Sequence, residues 1–278
     1  MFDLVPNIKK LDFRLLRLWI VFAVLVIGAT GHPALSDTLP EDARYLVAFD
    51  TSKKVEERVI SRQSALGIAS SGQTNSVTFS LPANTRISAL SAHNGSLYAV
   101  PESSFEVGEQ VFTPRTVFHQ KDNDTLQPIF DGTQEGIPGN VKITGLSVDG
   151  SNIYLTLNIF AVINGLHVSP NDIILWDGEK FSPYFSAKEA GIPATARISD
   201  FHIFTDDAIE FSFDSSIQIS DTDYRRDSIL RFTPTTTTWS ASSLSDTFSA
   251  LCTSCKFEAM TFDARSYSIF ADRFETSQ

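Results

Sequence analysis

GIPATARISDFHIFTDDAIEFSFDSSIQISDTDYRRDSILRFTPTTTTW, residues Gly191–Trp239, has a near-copy one unit upstream. Gly136-Ile137-Pro138 matches Gly191-Ile192-Pro193, and Lys142 to Leu146 (KITGL) matches Arg197 to Phe201 (RISDF). Asp172 to Trp176 (DIILW) matches Asp227 to Arg231 (DSILR), so all three landmarks recur at an offset of 55 residues. A repeat of that length, built from short alternating apolar runs, is the signature of a propeller blade.

Working outward, each unit holds the same parts. Arg86 to Val100 reads as an inner hairpin that turns at Asn94-Gly95, a strong hairpin signal. The next inner hairpins turn at Asp149-Gly150 and at Asp206-Asp207. Outer strands are expected at Ile173 to Trp176 with Phe181 to Phe185, and at Ile229 to Phe232 with Trp239 to Ser242. Gln110 to His119 and Leu126 to Phe130 read as strands, and Val55 to Ile60 as an edge strand. Gln63 to Gln73 (QSALGIASSGQ) reads as a loop, because its residues are small and polar. Turn residues every 8–12 positions and the Phe, Ile, Val and Thr content predict an all-β fold.

The repeat units lie near 86–141, 142–196 and 197–255. A closing blade combines 256–278 with 43–85, with two strands expected from each end of the chain, those at the C-terminal end being Lys256 to Phe262 and Tyr267 to Phe270. That makes a β-propeller of four blades, closed by N- and C-terminal strands that share a blade. Five blades with an atypical first one, or a stacked solenoid, are the alternatives.

Residues 1–36 read as a signal peptide, leaving 37–278 as a single propeller domain. Lys9, Lys10, Arg14 and Arg17 precede the apolar run Leu18 to Ala29, and Ala34-Leu35-Ser36 supplies a cleavage site before Asp37. An uncleaved anchor helix is the alternative, but the run is short for a bilayer span, which takes about 20 apolar residues. The chain is thus expected to be exported, periplasmic or secreted, with no stable membrane span after cleavage.

The formal net charge is −11. An acidic surface repels phosphate backbones, which argues against a nucleic-acid partner. Cys252 and Cys255 are expected to form a local disulfide in an oxidising compartment. A redox CxxC should open a helix, two thiolates are too few for zinc, and Lys256 stands where haem attachment needs a histidine.

The third unit resembles repeats of exported bacterial β-propeller proteins, most of which have no assigned function. The resemblance rests on Asp206 to Asp214 (DDAIEFSFD), on Arg226 to Pro234 (RDSILRFTP) and on Trp239-Ser240. It is good over 192–240, fair over 137–190 and faint outside them. It implies a propeller fold and export, and carries no catalytic residues with it.

The candidate binding residues form a column. Arg86, Lys142, Arg197 and Lys256 hold one repeat position, each just before an inner strand. Two residues on stand Ser88, Thr144, Ser199 and Glu258. In a closed ring the cations would surround one mouth of the channel, suited to an anionic ligand; pairing with acids of neighbouring blades is the plain alternative. His202 falls where other units carry Ser91, Ser147 and Thr261, and Asp200 precedes it by two residues on one strand face. Such a pair could work as a base and its carboxylate, or His202 could be a packed, hydrogen-bonded side chain.

The acidic turns Asp122-Asn123-Asp124 and Asp221-Thr222-Asp223 with Asp227 could offer oxygen to calcium, but neither matches an EF-hand loop. No cofactor is otherwise expected. Asp172 and Asp227 recur before outer strands, which suits capping of turn amides. Trp176 and Trp239 suit interblade packing more than carbohydrate stacking.

The reading that results is an exported, monomeric, non-catalytic propeller that binds an envelope protein or a small anionic ligand. The alternative is a metal-dependent hydrolase of lactonase or esterase type, which rests on fold analogy alone.

Overall fold

The computed structural model describes residues 44–49, 52–55, 58–69, 74–94, 96–120, 125–242 and 257–263. The N-terminal segment forms β1 (Arg44–Phe49), a small hairpin of β2 (Lys53–Val55) and β3 (Arg58–Ile60), then β4 (Ser64–Ala69) and β5 (Thr74–Thr78). The next unit repeats the order with β6 (Ile87–His93), β7 (Ser96–Pro101), the hairpin β8 (Phe105–Val107) and β9 (Gln110–Phe112), then β10 (Thr116–Gln120) and β11 (Leu126–Asp131). The third has β12 (Ile143–Asp149), β13 (Asn152–Leu157), β14 (Ala161–Ile163), β15 (Leu166–Val168), β16 (Ile173–Trp176) and β17 (Phe181–Phe185). The fourth has β18 (Ile198–Ile203), β19 (Ile209–Phe213), β20 (Ile217–Ile219), β21 (Thr222–Tyr224), β22 (Leu230–Thr233) and β23 (Thr238–Ala241). The last described strand is β24 (Phe257–Asp263).

These strands make four four-stranded antiparallel sheets, in the orders β24-β1-β4-β5, β6-β7-β10-β11, β12-β13-β16-β17 and β18-β19-β22-β23. The inner strands β24, β6, β12 and β18 each adjoin the next around one axis, and β18 adjoins β24. The fold is a four-bladed β-propeller.

Closure departs from the expected two-plus-two split. β24 pairs with β1, so one C-terminal strand joins three from the N-terminal segment. The third is β4, in the stretch read as a loop. Its small residues fit a strand enclosed on both faces: Ala65, Leu66 and Ile68 are all buried. Val55 to Ile60 belongs to the hairpin β2–β3, and Gln110 to His119 is broken between Phe112 and Thr116. A strand expected over Tyr267 to Phe270 lies outside the described residues.

Each blade also carries a hairpin of three-residue strands between its second and third strands. Such strands are too short for alternation to show in the sequence. One face of these hairpins points inward, with Phe112, Ile163 and Ile219 buried and Phe105 stacked on Phe112 at 4.9 Å, while Val59, Val107, Val111 and Val162 point outward and are exposed.

The core is a set of interblade layers, as a propeller requires, because a twisted sheet with two apolar faces must be covered on both. One layer joins blades 1 and 2 through Leu46, Ala65, Leu90 and Phe118. A second joins blades 2 and 3 through Val117, Phe130, Leu146 and Trp176. A third joins blades 3 and 4 through Ile173, Phe201, Phe211 and Phe232. The tryptophans serve these layers: Trp176 packs on Phe130 at 5.9 Å, and Trp239 Nε1 donates to Ala190 O at 2.8 Å.

The seam between blades 4 and 1 joins aromatic packing of Phe204 on Phe262 to a polar cluster. Tyr45 of β1 donates its hydroxyl to Glu210 Oε2 on β19 at 2.6 Å, and Ser242 donates to Oε1 at 2.9 Å. Arg231 Nη1 lies 3.8 Å from Oε1. Burial, then the charge of Glu210, pushes the Tyr45 phenol well above its usual range, so it stays a donor. Hydrogen bonds to charged groups are worth about 1.5–3 kcal/mol. Tyr45→Phe should therefore lower unfolding stability by about 2 kcal/mol in urea titration while the variant still folds. A change within error would show that the bond does not hold the seam.

Candidate functional site

The four inner strands share one irregularity. Each is bulged near its start, with register shifts at Ile87/Ala89, Ile143/Gly145 and Ile198/Asp200, and opposite Ala48/Phe49 in the closing pair. A bulge re-aims the backbone that follows it. Here Leu90, Leu146, Phe201 and Met260, which hold equivalent positions, point their N–H groups at the axis.

One side chain takes them all. Asp200 Oδ2 accepts from Leu90 N and Met260 N, each at 2.9 Å. Its Oδ1 accepts from Leu146 N at 2.8 Å and Phe201 N at 2.9 Å. The residue is wholly buried. The equivalent positions hold Ala89, Gly145 and Ala259, so three small residues leave room for one carboxylate. A carboxylate has about four lone-pair sites, and each is used. Burial pushes the Asp200 carboxyl well above the ordinary carboxylate range, while the four N–H bonds pull against that shift.

The next layer is a relay of side-chain oxygens. Ser91 Oγ accepts from Val148 N of the next blade at 2.9 Å, and Ser147 Oγ from Ile203 N at 3.4 Å. Thr261 Oγ1 accepts from Ala92 N at 3.0 Å. In the fourth blade His202 replaces the hydroxyl, with Nδ1 at 3.2 Å from Thr261 Oγ1. Thr261 Oγ1 thus links Ala92 N of one blade to the His202 ring of another. Burial, followed by the charge of Arg231, pushes the His202 imidazole down to about 3, so it is neutral. The expected pairing of Asp200 with His202 is not formed: each is engaged by other partners.

These two layers separate two cavities. The near one, about 370 Å³, opens where the inner strands begin and is bordered by Ser88, Thr144, Ser199, Arg197, Asn158 and Asp214. The far one, about 340 Å³, opens at the inner-hairpin turns, and His202 lines it. Asp200 lines neither.

The cationic column divides. Arg86 forms an ion pair with Glu102. Lys142 reaches sideways to Glu102 O of the preceding blade at 3.2 Å, and Arg197 makes the matching reach to Asn158 O at 2.8 Å. Of the three, Arg197 lines the near cavity. Lys256, the Glu258 side chain, Cys252, Cys255 and the Asp122-Asn123-Asp124 turn lie outside the described residues. Asp172 caps turn amides, accepting from Ala187 N at 3.0 Å and Ser169 N at 3.3 Å. Asp227 is held by Arg225, Nε to Oδ1 at 2.9 Å and Nη2 to Oδ2 at 2.7 Å. Among the described residues no three His, Cys, Asp or Glu side chains converge as a metal-holding group.

Sequence reasoning picked out Asp200 and His202 but not their work. Asp200 entered only as the acid two residues before His202; the column Ala89, Gly145, Asp200, Ala259, one acid among small residues, is the signal that marks it. The far cavity was missed, because Tyr154 and Tyr184 reach it from strands whose aromatics read as core.

Compared with known proteins, the sequence matches no family model and no curated protein. Among solved structures it is similar to the extracellular domain of a hybrid two-component system of B. thetaiotaomicron, with 13% identity and TM-score 0.30 over 72% of this chain and 22% of that one. It is also similar to YCF48 bound to D1 peptide, at 8% identity and TM-score 0.27, covering 73% and 68% of the two chains. A luciferin-regenerating enzyme is similar at 12% identity and TM-score 0.32, covering 68% and 58%. The chain spans less than a quarter of the first of these structures. The fold assignment rests on the chain's own four sheets.

Proposed function

We propose that this is an exported propeller that binds a small anionic group at its near mouth without turning it over. The observation that carries the reading is Arg197 at the edge of a cavity bordered by the hydroxyl residues Ser88, Thr144 and Ser199. A guanidinium has five donors, and Arg197 commits one to Asn158 O. The others suit a carboxylate or phosphate, whether of a free metabolite or of an envelope protein's side chain. Asp214 at the same rim would disfavour a ligand of high negative charge. Binding rather than hydrolysis is supported by Asp200 and His202, the side chains hydrolysis would draw on, which are spent on the chain's own groups.

Export is proposed from the basic and apolar segments of residues 1–36. No helix among the described residues is long and apolar enough to cross a membrane.

Isothermal titration with citrate and with inorganic phosphate tests the reading. At least one should bind, and Arg197→Ala should weaken it tenfold or more. Binding of neither anion, undiminished binding by the variant, or chemical change of the bound ligand would overturn it.

A further inference from the structure

The fourfold repeat is broken most sharply at the far mouth. Blades 2 and 3 join their inner hairpins through two residues, after His93 and after Asp149. In blade 4, Phe204 N donates to Ala208 O at 2.9 Å, leaving three residues, Thr205 to Asp207, in the turn. Asp207 sits there with φ of 62°, in the left-handed region that favours glycine; Gly150 of blade 3 has φ of 61°. The break brings Phe204 and Asp207 to the rim, beside His202, the one non-hydroxyl member of its layer.

The cavity they border is aromatic and acidic. Tyr154 and Tyr184 meet edge to face at 4.7 Å, and Phe204 and Phe262 lie 5.2 Å apart. All four line the cavity, with Asp149 and Asp207. The carboxylates bear on the phenols: burial and then Asp149 push Tyr154 up, while burial and then Asp207 push Tyr184 up to about 12. Arg231 shows what this surface holds well, lying 4.6 Å over the Phe204 ring. Its charge is answered by Asp206 at 3.0 Å and by Glu210. Asp149 is paired, among the described residues, with His93 at 3.6 Å. His93 Nε2 accepts from Gly150 N at 3.1 Å, so its Nδ1 is the nitrogen turned toward Asp149. Among the described residues no cation pairs with Asp207.

The geometry points to a second site here, for an organic cation: an ammonium or guanidinium group on an apolar stem. Aromatic faces attract such a group and the carboxylates answer its charge, while a metal ion would leave the rings unused. The cavity suits one side-chain-sized group, so the cation is either a free small amine or a lysine or arginine of a polypeptide.

Calorimetric titration at low salt with choline, agmatine and the tripeptide Gly-Arg-Gly tests this, with 3,3-dimethylbutan-1-ol as the uncharged counterpart of choline. At least one cation should bind while the alcohol does not, and added salt should weaken binding. Asp207→Asn and Asp149→Asn, both at exposed positions, should each weaken binding at least tenfold. Arg197→Ala, at the opposite mouth, should leave it unchanged, which keeps this test apart from that of the near cavity. Tighter binding of the tripeptide points to a polypeptide source, and tighter binding of agmatine or choline to a free amine; both support the site. No binding by any cation, equal binding of the alcohol, or indifference to both substitutions would overturn it.

Discussion

Asp200→Ala should cost most of the domain's stability. It strips the acceptor from N–H groups of three other inner strands, Leu90, Leu146 and Met260, as well as from Phe201. A buried donor left unsatisfied costs about 1–3 kcal/mol. Four of them together cost about 4–12 kcal/mol, against a typical net stability of about 5–15 kcal/mol. Asp200→Asn should do little better, because its amide NH2 would face two N–H donors where an oxygen is needed. Urea unfolding followed by far-ultraviolet circular dichroism reads both variants. A loss below about 1 kcal/mol for Asp200→Ala would mean that water or a shift of the strands replaces the carboxylate.

His202→Ser should change how stability depends on pH. The imidazole is held at about 3 in the folded protein, against 6.5 as its ordinary value. Above pH 6.5 both states are neutral and stability is full. As pH falls from 6.5 toward 3 the unfolded chain takes up a proton that the folded one refuses, so stability is lost through that window. One proton corresponds to about 1.4 kcal/mol per pH unit. The native protein should therefore lose about 3 kcal/mol more than His202→Ser between pH 6 and 4. Other carboxylates titrate in both proteins, so the difference between the two curves is the quantity to measure. A serine also restores the hydroxyl that Ser91 and Ser147 supply in their blades, so the variant should fold. Parallel curves would show that His202 is not kept neutral by its setting.

The architecture could be read because it is written several times. Gly136-Ile137-Pro138 and Gly191-Ile192-Pro193 mark the period, and the alternating strands that follow each pair formed where expected. The exceptions share a cause. Gln63 to Gln73 reads as a loop yet contains β4, because a strand enclosed on both faces can be small and need not alternate. The inserted hairpins escaped notice because three residues show no period. For the site, repetition hid as much as it showed. The cationic column was visible, yet position alone cannot say that Lys142 and Arg197 reach sideways to carbonyls of the preceding blade. His202 was legible as an oddity and Asp200 only as its neighbour, because the four partners of Asp200 are backbone groups, and these have no letter in a sequence. Tyr154 of β13 and Tyr184 of β17 meet only across β16, which lies between their strands in the blade.

The shared carboxylate has a consequence for how the molecule opens. No single blade can release its inner strand without breaking a bond to Asp200, so blades should not fray one by one as the units of a solenoid do. Amide hydrogens of Leu90, Leu146, Phe201 and Met260, drawn from four corners of the chain, should then trade with deuterium at one common rate. That rate reports the unfolding of the whole domain and slows or quickens for all four together.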